Sequence, residues 1–100
     1  MHKPLARKPM VRILIFIVNL IFYVIELLLL ARFLLKLFAA NTAAPFVQWV
    51  YSNSAVLVAP FQNIFPNFRL GGFLIDIPTL IALIVYILIG RLIIYILSFL

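Results

Sequence analysis

The chain has 100 residues, of which 68% are hydrophobic and 10% are charged, and its formal net charge is +6. A soluble domain is about half apolar and about a quarter charged, so this composition predicts a membrane protein of one domain at most. The cations crowd near the N-terminus, beside an apolar segment. That position favours a membrane topology signal over direct, specific nucleic-acid binding.

Reactive side chains are scarce in this sequence. There is no cysteine, which excludes disulfides, thiolate metal sites and a cysteine nucleophile. The single histidine is His2, close to the terminus, and no second carboxylate or nucleophile accompanies Glu26 at its depth. We therefore expect no catalytic residues, no metal and no cofactor, and a protein that is not an enzyme.

The first elements are a basic leader and an apolar helix. Residues 1–12 form the leader, which carries Lys3, Arg7, Lys8 and Arg12. Residues 13–40 are predicted to hold the first transmembrane helix, because the run Ile13–Ala31 alone would span about 28 Å. This helix is expected to end near Asn41, which tolerates a left-handed cap. A cleaved secretion signal is the weaker alternative, since the run is too long and contains Glu26.

Residues 41–72 are predicted to form a cap that lies on one membrane face, because its prolines interrupt a straight spanning helix. A short helix is expected from Pro45 to Val58, ended by Pro60, with a break at residues 52–54. Its apolar side is predicted to carry Phe46, Val50 and Leu57.

The rest of the cap is expected to be irregular from Phe61 to Leu70 and to turn at Gly71 and Gly72. Aromatic rings in such a segment are typical of the membrane interface, where a ring is half buried and half wet. The predicted interfacial aromatics are Trp49, Tyr51, Phe61 and Phe65.

Residues 73–100 are predicted to hold the second transmembrane helix, with Asp76 as its N-cap and Pro78 in its first turn. From Ile77 to Leu100 such a helix would be about 36 Å long. The predicted fold is thus an all-α membrane protein with two transmembrane helices in an antiparallel hairpin, joined by an interfacial helical cap. The positive-inside rule places both termini in the cytoplasm and the cap on the far face.

Five polar side chains fall within the two apolar helices and need partners or water there. They are Asn19, Tyr23, Glu26, Arg91 and Tyr95. We interpret them as polar contacts between helices and predict that Glu26 meets Arg91, within one chain or between two copies. An ion or proton path is the alternative. A second pair, Arg32 and Asp76, is predicted to meet where the cap joins the helices.

The residues that mark the cap and its flanks resemble the YggT/YlmG family of small integral membrane proteins. The matching pieces are Arg32 with the run to Phe38, AANTAAPF at Ala39–Phe46, Tyr51, APF at Ala59–Phe61, Pro66, and IDIP at Ile75–Pro78. Two positions depart from the family pattern: Gln62 stands where relatives commonly have arginine, and Pro78 comes one residue early. The residues expected to anchor the cap are Arg32, Asn41, Pro45, Pro60, Pro66, Asp76 and Pro78.

The resemblance implies a bacterial-type plasma membrane and a role in the cell envelope. Bacterial relatives are associated with envelope and division functions, and plastid relatives with nucleoid organisation and cytochrome b6f assembly. We expect a non-enzymatic scaffold or assembly factor that contacts lipid and other integral membrane proteins. The alternatives are an oligomeric channel or osmolyte path lined by Asn19, Glu26 and Arg91, and a small peripheral subunit of a large membrane complex. Many relatives are tandem duplications, so pairing of this single unit into a homo-oligomer is left open.

Overall fold

A computed structural model describes residues 9–100. Lys3, Arg7 and Lys8 of the predicted leader lie outside that range. The described part is mostly helical and contains, in chain order, α1 (Pro9–Leu37), α2 (Pro45–Gln62), β1 (Phe68–Leu70), β2 (Phe73–Ile75) and α3 (Ile77–Leu97). The two short strands are an addition to the all-α architecture that the sequence predicts.

The helices α1 and α3 are the two long apolar elements, and both are long and apolar enough to cross a membrane. They pack against each other in antiparallel register. Arg32 of α1 donates a hydrogen bond to Thr79 of α3, and Phe22 of α1 lies against Gly90 of α3. Residues late in α1 therefore lie beside residues early in α3. Nearly half of the large apolar side chains of the two helices are exposed, and very few are fully buried.

The C-terminal end of α1 lies earlier than predicted, and Ala39, not Asn41, takes the left-handed conformation, with φ of 53°. The Ala40 N–H donates to the Leu35 carbonyl at 2.8 Å, and the Ala39 N–H donates to the Lys36 carbonyl at 3.1 Å. These paired bonds form a Schellman motif, which satisfies the last carbonyls of the helix.

Asn41 acts in the following turn instead. Its side-chain oxygen accepts from the Ala43 N–H at 2.9 Å, and its carbonyl accepts from the Ala44 N–H at 3.1 Å. This side-chain turn, typical of asparagine, delivers the chain to Pro45, the first residue of α2.

The helix α2 is longer than predicted and is continuous through residues 52–54. The Asn53 amide donates to the Trp49 carbonyl, and the Ser54 hydroxyl donates to the Val50 carbonyl at 2.6 Å. These bonds run back along the helix, so the polar side chains do not break it. Pro60 lies inside α2 rather than ending it. It stands in the last turn, where it removes the bond to the Val56 carbonyl and is followed by only two helical residues.

The buried side of α2 also differs from the prediction. Its buried residues are Val47, Val50, Ser54 and Val58, while Phe46 is exposed and Leu57 is only partly buried. Leu29, Val58 and Ala82 are fully buried where the three helices meet. The Tyr86 hydroxyl donates to the Leu57 carbonyl at 2.9 Å, which ties α3 to the end of α2.

A β-hairpin joins α2 to α3, where the sequence predicts irregular structure ending in a glycine turn. The strands β1 and β2 are antiparallel, with Phe68 opposite Ile75 and Leu70 opposite Phe73. Gly71 has φ of 63°, a conformation that a two-residue type II′ loop requires at its first position. The glycine turn is present as predicted. α3 then starts at Ile77 and ends at Leu97, three residues before the predicted end.

We predict that Gly90→Ala weakens the packing of α1 on α3. A Cβ at this position would lie 2.9 Å from the Phe22 ring, and overpacking of this kind costs about 1–3 kcal/mol. Thermal unfolding in a mild detergent would show a lower transition temperature. Gly72→Ala is the control, since its Cβ would meet nothing within 4 Å. Equal transition temperatures for the two variants would contradict the close approach.

Candidate functional site

The Arg32 side chain lies at the meeting point of the three helices and is almost entirely buried. Its Nε donates to the Thr79 hydroxyl at 3.1 Å and lies 3.4 Å from the Asp76 carboxylate. One terminal nitrogen donates to the Tyr51 carbonyl at 3.1 Å and to the Ser54 hydroxyl at 2.8 Å. One guanidinium therefore contacts α2, through Tyr51 and Ser54, and the N-terminal end of α3, through Asp76 and Thr79. The predicted contact between Arg32 and Asp76 is present.

Asp76 is both the counter-charge of Arg32 and the N-cap of α3, as predicted. One carboxylate oxygen accepts from the Thr79 N–H at 3.4 Å, and the other accepts from the Thr79 hydroxyl at 2.6 Å. Lys36 brings a second cation to 3.6 Å from the same oxygen. The carboxylate thus carries a capping role and two ionic contacts. The buried Pro78 fits the first turn of the same helix.

The Tyr51 ring faces both cations of this cluster. The Arg32 guanidinium lies 5.7 Å and the Lys36 ammonium 5.4 Å from the ring centroid, within cation–π range. Burial raises the pKa of the Tyr51 phenol; the Arg32 charge lowers this pKa and the Asp76 charge raises it. The net direction is upward, so the phenol stays neutral at physiological pH.

Sequence reasoning found Arg32 and Asp76 but missed Lys36, Ser54 and Thr79. The signals were spacings: Lys36 follows Arg32 by four residues on one helix face, and Thr79 follows Asp76 by three at a helix start. Of the described buried side-chain polar atoms, none lacks a hydrogen-bond partner. The other residues predicted to anchor the cap lie outside this ion cluster. Asn41 and Pro45 shape the entry to α2, Pro60 lies within it, and Pro66 is exposed in the loop before β1.

A second polar feature is a groove of about 560 Å³ between α1 and α3. All five predicted intramembrane polar residues line it: Asn19, Tyr23, Glu26, Arg91 and Tyr95. Tyr23 and Tyr95 are each about 60% exposed, so the groove opens to the outside of the hairpin. At the centre of a bilayer, each charge would cost about 2.5–3.5 kcal/mol on insertion scales unless it met a partner or water.

The predicted contact between Glu26 and Arg91 within one chain is wrong. Across residues 9–100, the ion pairs are those of Asp76 with Arg32 and Lys36. Because Phe22 lies against Gly90, the antiparallel register places Glu26 opposite Tyr86. Arg91 is five residues further along α3, a displacement of about 7.5 Å. Both charged residues line the same groove without coming within 4 Å of each other.

The four predicted interfacial aromatics lie in different surroundings. Trp49 is 58% exposed on the outer side of α2. Phe65 and Tyr51 are partly buried, and Tyr51 belongs to the charge cluster. Phe61 is also partly buried and packs edge-on against Tyr86, with ring centroids 6.3 Å apart. Of these four rings, Trp49 is thus the most available to lipid or to a partner.

Two long apolar helices, tied to a third helix by a buried ion cluster, define a small helical protein of membrane-protein type. The chain matches the CCB3/YggT family over residues 11–97, which is most of its length, and it belongs to that family. It matches no curated protein and no solved structure.

We predict that Asp76→Asn destabilises the fold by about 3–5 kcal/mol, because it leaves the buried Arg32 without its closest counter-charge. Asparagine caps helices as well as aspartate, so capping is retained. Unfolding in a mild detergent measures the loss.

Lys36→Met is the matched control at the same carboxylate. The Lys36 side chain is 22% exposed and its contact is longer, so its removal should cost less than about 1 kcal/mol. Equal losses for the two variants would show that Arg32 does not depend on Asp76.

Proposed function

We propose that this protein is a non-enzymatic integral membrane scaffold or assembly factor. The helices α1 and α3 cross the bilayer, while α2 and the β-hairpin form a fixed cap on one face. The observation that carries this proposal is an inverted distribution of side chains. The buried side-chain polar atoms among the described residues are satisfied internally, while large apolar side chains cover the outside.

The lengths of the two helices support the membrane placement. α3 has 21 residues, which gives about 31 Å and matches a hydrocarbon thickness of about 30 Å. α1 has 29 residues and about 43 Å, so it spans and continues into the interface at its ends. Exposed apolar surface of this extent would be a liability in water and is ordinary in lipid.

The cap supplies the contact surface of the proposed scaffold. Val47, Val50 and Val58 face the hairpin, while Phe46, Trp49 and Val56 are 58–72% exposed on the other sides of α2. Apolar and aromatic side chains at this level suit the headgroup zone or the flank of another membrane protein. The ion cluster holds this surface in one orientation.

The chemistry of the cluster supports a structural role over a catalytic one. The Asp76 carboxylate has two cations nearby, and its oxygens accept from both the N–H and the hydroxyl of Thr79. A carboxylate committed in this way is a poor general base, and it lies 1% exposed, away from any substrate in solution.

The proposed topology has both termini in the cytoplasm and the cap on the far face. The motive is the excess of cations before α1. Because the chain has no cysteine, single cysteines at His2 and Ser52 can be labelled without background. We expect impermeant reagents to reach them from opposite sides of the membrane. Labelling of both from one side would contradict the two-span placement.

Contact through the cap can be tested by purification in a mild detergent. A scaffold should be recovered with membrane partners, and Trp49→Ala should reduce that recovery several-fold. Ser52→Ala is the control, because Ser52 is also exposed on α2 but adds little apolar surface. Equal recovery with both variants would contradict contact through the aromatic side of the cap. Fixed stoichiometric recovery with one large complex would favour the peripheral-subunit alternative.

The groove between α1 and α3 favours a second candidate, an oligomeric channel or osmolyte path. It gathers Asn19, Glu26 and Arg91 along one face, as a polar path would require. Flux through liposomes that contain the purified protein, reduced by Glu26→Gln, would support this candidate. A cysteine at Asn19 that a water-soluble reagent labels inside the membrane would show that the groove is wet.

A further inference from the structure

The groove contains two charges of opposite sign that have no ionic partner within 4 Å in residues 9–100. Glu26 is partly buried, whereas Arg91 is exposed on the groove side of α3. By contrast, the charges of the Arg32 cluster have ionic partners, and no described buried side-chain polar atom lacks a hydrogen-bond partner. The groove is therefore incomplete as an isolated hairpin if α1 and α3 lie in lipid.

The directions of the two side chains bring the charges toward one level. A helical Cα–Cβ bond tilts toward the N-terminus of its helix. In the antiparallel hairpin, Glu26 thus leans away from the cap and Arg91 leans toward it, which reduces their separation of about 7.5 Å along the helices. Within one chain, the two charged groups do not come within 4 Å of each other, although both line the groove. The groove opens to the outside of the two helices, so a second copy can approach both charges.

We propose that two copies of this chain pair groove to groove, with Glu26 of one copy bound to Arg91 of the other, and the reverse. A two-fold axis along the membrane normal keeps both copies in the same orientation and at the same depth. Such an interface is isologous, so one contact generates its twin. Asn19, Tyr23 and Tyr95 lie beside the charges and add hydrogen-bonding groups at the same surface.

Charge complementarity identifies the occupant as a second copy. The groove has one carboxylate and one guanidinium, so it is complementary to itself and its net charge is zero. A lipid tail or a wholly apolar helix would leave both charges unpaired, which hydrocarbon makes costly. This inference rests on the proposed membrane placement, whose failure would appear separately as same-side labelling of the cap and the N-terminus.

The test uses two differently tagged full-length copies, expressed together and captured through one tag in a mild detergent. Wild-type copies should capture each other. Glu26→Arg and Arg91→Glu, each expressed alone, should lose at least tenfold in self-capture, because like charges then face each other across the interface. Expressed together, the two variants should recover capture of each other, since both contacts then join opposite charges.

Recovery on mixing separates pairing between copies from pairing within a chain, because mixing cannot repair a repulsion inside one chain. If charge reversal prevents insertion, Glu26→Gln and Arg91→Gln replace it, each with at least tenfold loss of self-capture. Val24→Gln is the control. Val24 is 57% exposed and follows Tyr23, so it lies at nearly the same level of α1, but its side chain is rotated by about 100° around the helix axis from Tyr23. Wild-type copies that do not capture each other, or mixed variants without recovery, would overturn the proposal.

Discussion

The fold depends on one buried guanidinium. Arg32 reaches α2 through Tyr51 and Ser54 and reaches α3 through Asp76 and Thr79. A buried ion pair contributes little net stability beyond what well-packed apolar residues would give, because desolvation offsets the attraction. Its effect here is positional. An apolar contact among the three helices could slide by a residue, whereas four directed contacts on one side chain admit a single arrangement of the cap and the two long helices.

The same guanidinium explains why α2 remains one helix. Ser54 lies in the stretch where polar side chains predict a break, but its oxygen accepts from Arg32 while its hydroxyl donates to the Val50 carbonyl. The polar residue is therefore satisfied within a helical geometry. Burial of Val47, Val50 and Val58 on the same side then holds the helix against the hairpin. A tertiary contact overrides a local preference for a turn.

Sequence reasoning identified what depends on apolar length and on strongly directed residues. The two long helices, the glycine turn, the Asp76 cap and the contact of Asp76 with Arg32 all follow from local patterns. The bounds of α2 did not, because a proline kinks or ends a helix and residue type alone does not decide which; here the helix runs two residues past Pro60. The β-hairpin at residues 68–75 had only its Gly71–Gly72 turn as a signal, since three-residue strands carry almost no periodicity. The left-handed conformation of Ala39 could not be predicted from residue preferences, because asparagine or glycine is favoured at that position.

The prediction that Glu26 meets Arg91 within one chain failed because composition does not give the register of two packed helices. In the structure, Phe22 of α1 lies against Gly90 of α3, and this register offsets Glu26 from Arg91 by about 7.5 Å along the helices. Gly90 permits the close approach, since a Cβ there would lie 2.9 Å from the Phe22 ring.

The charged residues of the two long helices and the cap thus fall into two groups. Near the cap, Arg32 and Lys36 both pair with Asp76, and these contacts fix how the three helices are arranged. In the groove, two opposite charges are held apart on an outward-facing surface. Satisfied charges specify how one chain folds, whereas unsatisfied opposite charges in lipid specify what must approach it. An acid and a base at fixed levels on one surface are complementary to the same surface rotated by two-fold symmetry, which is the basis of the proposed pairing of two copies.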